Sequence, residues 1–281
     1  MVLLIDSPDD PRLEQFRLRE RELRPRRIPD RMAKGLPPAE RVSAGRFVAE
    51  GDLVVERALA AGCRPVAVLT DADAPAALVE SLPDDVPVYA ARADARKMLT
   101  GLGVALDVIA LFDRPPTRTL DETLPHCRHL LVAEDVDNPT NIGAICRSAA
   151  AFGVDGLILD RNSADPLARR ALRVSMGVAL RMRHCRVDDV SSVVPVLRER
   201  GWVVCGLTPR PEARDIATVP VTADSRVAIV LGSERLGLRE DTMRRVDHLL
   251  RIPMASGVDS LNVAAAAAVA CHSLLARTLS A

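Results

Sequence analysis

Aromatic residues are scarce: four Phe, one Tyr and one Trp among 281 residues, or 2%. That leaves little for recognition sheets that stack nucleic-acid bases on Phe and Tyr. Lysine is rarer still. It occurs only at Lys34 and Lys97, so 36 of the 38 basic residues are Arg. An excess of either charge is missing, with 38 basic against 38 acidic residues, which argues against a generic cationic nucleic-acid binder. The longest uninterrupted apolar run covers only 263–271, far too short to span a bilayer. The first residues lack the basic stretch of a secretory signal and soon turn acidic. The six cysteines (Cys63, Cys127, Cys146, Cys185, Cys205 and Cys271) show no CxxC and no Cys/His ligand spacing. They read as reduced, mostly buried thiols of a cytoplasmic protein without a structural zinc site or other metal. Composition alone therefore points away from RNA.

Several motifs are absent too. No GxGxxG follows a strand, and neither GxxxxGK[ST] nor GxSxG occurs, so a dinucleotide fold, a P-loop and a nucleophile elbow are set aside. His126, His129, His184, His248 and His272 have no Ser or Cys partner at catalytic spacing and read as structural or exposed.

What is present is 48% apolar sequence, enough for one large or two ordinary domains. Charge is uneven. Residues 12–34 carry nine basic and four acidic groups, and 161–186 carry seven Arg and one Asp. Phosphate binding needs only such a local cluster. Residues 1–42 are polar, with a helical look over 11–24 before Pro25, Pro29, Pro37 and Pro38. An α/β unit follows: strands at Arg46–Glu50, 65–69, 86–89 and 104–112, and helices at 52–61, 74–81 and 92–99. The segment 113–126 has three Pro and no apolar periodicity, the mark of a linker. From 128 onward a second alternation predicts strands at 129–134, 156–160, 181–187, 202–207, 226–231 and 248–252. Its helices are expected at 142–152, 166–175, 190–200, 239–246 and 260–278. Such alternation predicts a mostly parallel sheet covered on both faces. The expected division is 1–115, a linker at 116–127, and 128–281.

Three segments of the second region carry chemistry. In the first, Asn141, Gly143 and Arg147 lie between a strand and a helix. Asn141 is a candidate N-cap. Ile142, Ile145, Ala149 and Phe152 form an apolar stripe, and Arg147 points away from it, toward a site or solvent. In the second, Gly232 and Gly237 bracket Glu234 at a strand's C-terminal end, the edge where ligands of open α/β sheets bind. Gly232 permits close backbone approach, and Glu234 can receive a cationic or amide group. In the third, a strand ends at Pro253, a Gly-containing loop follows, and Ser260 is a candidate cap for an Ala-rich last helix.

In this order the three segments strongly resemble the SpoU (TrmH-like) family of RNA 2′-O-ribose methyltransferases: N-x-G-x-x-x-R at Asn141, Gly143 and Arg147, then LGSE ending at Glu234, then the run from Ile252 through Met254 to Ser260, Leu261 and Asn262. Residues 171–177 are similar to the family's segment after its second strand, and residues 46–51 to its substrate-binding domain. The start of the last helix departs mildly, and 101–110 departs from the polar pattern usual in that domain.

The resemblance implies an α/β protein. Its SPOUT methyltransferase domain would have a parallel sheet and a trefoil knot, preceded by an L30e-like substrate-binding domain. It implies S-adenosyl-L-methionine as cofactor, held by Leu231, Gly232, Ile252, Met254 and Leu261 with Thr208 nearby, and a homodimer with its site at the interface. The catalytic set it implies is Arg147, Asn141, Glu234, Ser260 and Asn262. A guanidinium gives up its proton at neutral pH only at a cost of roughly 7–9 kcal/mol, so a charged Arg147 stabilising the developing alkoxide is the expected role. The basic run then reads as RNA-facing, with Arg169, Arg170 and Arg173 as phosphate contacts. The expected substrate is 23S ribosomal RNA. The alternatives are a tRNA 2′-O-methyltransferase and a catalytically silent ribosome-assembly factor that binds RNA.

Overall fold

In the computed structural model, residues 2–25, 45–219, 221–222 and 224–276 are described. The prolines at 29, 37 and 38, much of the 12–34 basic cluster and the expected helix end at 277–278 lie outside them. The chain divides into two compact units. One comprises Met1–Pro116 with Leu167–Arg181, the other Thr117–Pro166 with Met182–Ala281.

The first unit holds β1 (Val2–Ile5), α1 (Glu14–Arg17), α2 (Glu20–Leu23), β2 (Arg46–Glu50), α3 (Asp52–Ala60), β3 (Pro65–Asp71), β4 (Val88–Ala91), α4 (Ala93–Thr100) and β5 (Val108–Asp113). Its sheet runs β1-β4-β3-β5-β2. The β1–β4 and β4–β3 pairs are parallel; β5 is antiparallel to both β3 and β2. The core gathers Ile5, Leu13, Phe16, Val48, Leu69, Ile109 and Leu111. The helical look at 11–24 resolves into a 3-10 turn and two short helices.

Into this unit also falls α7 (Arg169–Val174), a segment expected within the C-terminal domain. Ala171 and Leu172 of this helix are fully buried, and an ion-pair cluster ties it to β2. The Glu50 side chain is 1% exposed and takes Nη1 of Arg169 at 3.0 Å and Nη1 of Arg173 at 2.9 Å. A carboxylate buried so deeply requires such partners. Glu20 adds to the joint by accepting the Arg169 backbone N–H at 2.9 Å.

The second unit begins with α5 (Leu120–Thr123), inside the expected linker. A reciprocal capping box builds it: the Thr119 hydroxyl accepts from Glu122 N–H at 3.2 Å, and the Glu122 carboxylate accepts from Thr119 N–H at 2.7 Å. Then follow β6 (His129–Glu134), α6 (Pro139–Ala151), β7 (Gly156–Leu159), β8 (Arg183–Arg186), α8 (Val190–Glu199), β9 (Trp202–Leu207), β10 (Arg214–Asp215), β11 (Arg226–Gly232), α9 (Glu240–Met243), β12 (His248–Arg251) and α10 (Val263–Leu275). The sheet order is β10-β12-β9-β11-β6-β7-β8, and every pairing is parallel. β6 is buried at all six positions and β11 at its five central ones, as expected of strands covered on both faces. Leu130, Val132, Ile158, Val204, Ala228 and Val230 lie in one apolar cluster.

Helices α6 and α10 pack together. Ile142, Ile145 and Ala149 of the expected stripe are fully buried. Phe152 closes the helix and meets the His272 ring edge-on at 5.7 Å. Ala264, Ala267 and Ala270 of α10 are buried too, so small side chains let the backbones approach. Among the described residues no helix is long and apolar enough to cross a membrane.

Candidate active site

Because the sheet is parallel, β9, β11 and β12 all end at one edge, and the loops leaving them enclose a cavity of about 390 Å³. Thr208, Leu231, Gly232, Ile252, Met254 and Leu261 line it, together with Glu234 and Ser260. Its apolar wall gains Leu207, Leu250 and Val263. None of its lining residues is aromatic. A slot of this volume, apolar with a few polar groups, is the usual form of a small-molecule site and fits an adenosyl group.

The loop after β11 owes its shape to two glycines. The chain doubles back so that Ser233 bridges Gly237, whose N–H donates to the Ser233 carbonyl at 2.9 Å. Gly237 adopts φ +67°. A Cβ on Gly232 would lie 2.2 Å from the Gly237 carbonyl carbon, so no side chain fits there.

Glu234, on this loop, accepts the side-chain amide N–H of Asn141. The Asn141 carbonyl oxygen accepts Nδ2 of Asn262 at 3.1 Å. Asn262 in turn caps α10 by accepting from Ala264 N–H at 2.9 Å and Ala265 N–H at 3.4 Å. One hydrogen-bonded chain thus joins the three segments. Two cap expectations are corrected here. Asn138 caps α6, accepting Thr140 N–H at 2.9 Å, with Pro139 at the first position where its missing N–H costs nothing. Asn141 therefore sits in the first turn, 7% exposed. Asn262, not Ser260, caps α10; Ser260 stays exposed at the cavity wall.

Arg147 is exposed and is not a lining residue of the cavity. It has no hydrogen bond or ion pair among the described residues. Six residues beyond Asn141, it lies about 9 Å further along α6 and about 120° round it. The three arginines expected to face RNA part company. Arg169 and Arg173 are committed to Glu50, which corrects the expectation of free phosphate contacts at both; Arg170 is exposed.

A second network was not foreseen. Arg239 donates Nε and Nη2 to Asp135 at 2.9 and 2.7 Å and lies 3.7 Å from carboxylate oxygens of both Asp160 and Asp189. Its backbone N–H donates to Glu134 at 2.8 Å, and the Thr242 hydroxyl donates to the same carboxylate at 2.5 Å. Burial pushes the Glu134 carboxyl above its usual range, with those two hydrogen bonds opposing. Burial also works against the charge of Asp135, but hydrogen bonds from Asn162 and Arg239 outweigh it and hold that carboxyl below its usual range. Asp135 has φ +57°, a conformation Asp tolerates better than most residues. The network pins the turn that leads from β6 into α6. The one sequence signal for it was a carboxylate closing the apolar strand β6.

Comparison with known proteins decides the family. Residues 128–272 match the model of the SpoU rRNA Methylase family. The chain belongs to the SpoU rRNA methylase family. An uncharacterized tRNA/rRNA methyltransferase of Mycobacterium tuberculosis is 35% identical over 94% of this chain and 88% of its own length. The 23S rRNA (guanosine-2′-O-)-methyltransferase RlmB of Coxiella burnetii is 36% identical over 50% of this chain and 55% of its own. A crystal structure of an RNA 2′-O ribose methyltransferase superposes with TM-score 0.75 at 26% identity, covering 99% of this chain and all of the other. Like its SpoU relatives, the protein is an RNA methyltransferase.

Proposed function

We propose that this protein methylates the 2′-hydroxyl of a ribose in structured RNA, with 23S ribosomal RNA as substrate, and that it works as a homodimer in the cytoplasm. The observation that carries this reading is that the second and third SpoU segments line one cavity and the first is hydrogen-bonded to both through the Asn262–Asn141–Glu234 chain. S-adenosyl-L-methionine, when bound, supplies an electrophilic methyl group on a sulfonium.

The chain's own residues do the rest. Leu231, Ile252, Met254 and Leu261 exclude water from the slot, and Gly232 leaves its backbone accessible, with Thr208 at the wall. Glu234, held by Asn141, orients the ribose with Ser260 and Asn262. Arg147, still charged, stabilises oxyanion character as the 2′-oxygen attacks, or grips the adjacent phosphate.

Three observations support the homodimer. Arg147 is displaced from its own Asn141; Ala150 of α6 and Ala265 and Val269 of α10 are exposed; and no Asp, Glu, Lys or Arg occurs in α10. In the dimer a second protomer covers these residues and completes the site. The reading includes a trefoil knot in the chain after β11, supported by the return of α10 from β12 to pack on β11 and α6. Residues 1–115 serve as an L30e-like RNA-binding domain, and the exposed Arg170, which belongs to the same compact unit, is the remaining candidate phosphate contact among the three arginines.

The test is transfer of a tritiated methyl group from S-adenosyl-L-methionine to ribosomal RNA from a strain lacking the gene. A 2′-O-methyl blocks alkaline cleavage of the next phosphodiester. Label in alkali-resistant dinucleotides supports the reading; label in mononucleotides would assign the methyl group to a base and overturn it.

A further inference from the structure

Leu236 is the most exposed large apolar side chain among the described residues, at 84%. A lone exposed Leu ordinarily needs no explanation. This one sits at the tip of the β11 loop, two residues beyond Glu234, and lines the mouth of the cavity. Its loop is also braced by hydrogen bonds. The Leu236 backbone N–H donates to the Ser233 hydroxyl at 3.2 Å, and the bridge between Ser233 and Gly237 closes the loop on either side of it. The Glu234–Asn141 hydrogen bond anchors the same loop to α6. The tip is thus presented to solvent on a braced scaffold. Beside it the Arg235 side chain is 86% exposed, with Asp137 at 3.8 Å as a similarly solvated partner, free to turn to a phosphate.

We infer that Leu236 is an apolar wedge that enters the RNA stack beside the target nucleotide and fills the gap opened when that nucleotide swings toward the cavity. The inference rests on the RNA-methylating reading above. Stacked RNA displays its 2′-hydroxyls along a shallow groove, and enzymes and binding modules that single out one nucleotide act where it can be splayed from its neighbours; seating one ribose among the loops around this cavity calls for such a local opening. Proteins that unstack bases insert Leu, Ile, Met, Phe or Pro for this purpose. No aromatic side chain lines this cavity, so an aliphatic one takes the part. Arg235 then holds the flanking phosphate.

The experiment compares native protein with Leu236→Ala and Leu236→Met on ribosomal RNA from a strain lacking the gene, with binding of S-adenosyl-L-methionine measured by calorimetry on each. Leu236→Ala is expected to lower kcat/KM for RNA by about tenfold or more, as unstacking energies of this kind imply. Cofactor affinity should stay within about twofold, and Leu236→Met should recover most of the rate, since Met also serves as a wedge. A Leu236→Ala variant within twofold of native, or one whose fall in rate matches a weakened cofactor affinity, overturns the role of Leu236 alone. A native protein that methylates no RNA overturns the functional reading itself.

Discussion

Nδ2 of Asn262 donates to Oδ1 of Asn141 at 3.1 Å across 121 residues of sequence. The same Asn141 donates to Glu234, so one nearly buried amide fixes both the loop after β11 and the start of α10. Asn141→Ala frees Glu234 and Asn262, both of which water can reach, so stability should fall by only about 1 kcal/mol. Methyl transfer should fall by up to about 100-fold as the reacting groups lose register. Asn141→Asp, which sets a carboxylate against Glu234, should be worse than Asn141→Ala at neutral pH. Chemical denaturation with single-turnover kinetics checks both.

Arg147 has no intramolecular partner among the described residues, so its replacement should leave stability unchanged. Its effect should lie in turnover. Arg147→Lys keeps the charge but loses the planar fork, and kcat should drop roughly 100-fold, the scale of one missing transition-state donor. Near-native turnover with an unchanged pH profile would remove Arg147 from the chemistry.

Gly232 tests the architecture of the loop. A Cβ there would meet backbone at 2.2 Å, and backbone cannot rotate away. Gly232→Ala should cost about 3 kcal/mol or more and abolish cofactor binding in calorimetry. Gly257 is the control: it has φ +86° but nothing within 4 Å of a Cβ, so Gly257→Ala should cost only about 1–2 kcal/mol.

The Asp135–Arg239 pair predicts acid sensitivity. The Asp135 carboxyl is held below its usual range. Its contribution is therefore complete above the unfolded-state value near 4 and is lost as pH falls through the lower folded-state value. Asp135→Asn keeps a side chain that tolerates positive φ but discards the charge. At pH 7 it should be less stable than native by about 1 kcal/mol, given the partial exposure of the pair. The difference should shrink as pH is lowered below about 4. Urea denaturation at a series of pH values measures it.

Much of this was legible locally. β6 and β9 occupy the residues their apolar runs predict, 129–134 and 202–207. The three segments announced the site because glycines, asparagines and a carboxylate stood at strand ends. What escaped depends on distant partners. Glu134 and Arg239 are 105 residues apart, and Glu50 draws in Arg169 and Arg173 from beyond residue 166; periodicity carries no trace of either. The capping box at Thr119 and Glu122 was readable, but the prolines around it masked it as a linker.

The most direct test of RNA 2′-O-methylation is to map ribose methylation across ribosomal and transfer RNA from a strain lacking this gene against its parent. Loss of a single 2′-O-methyl in 23S ribosomal RNA, restored by the native gene and not by an Arg147→Ala copy, is the expected result. Loss in a tRNA would move the substrate. Identical maps in both strains would contradict the assignment.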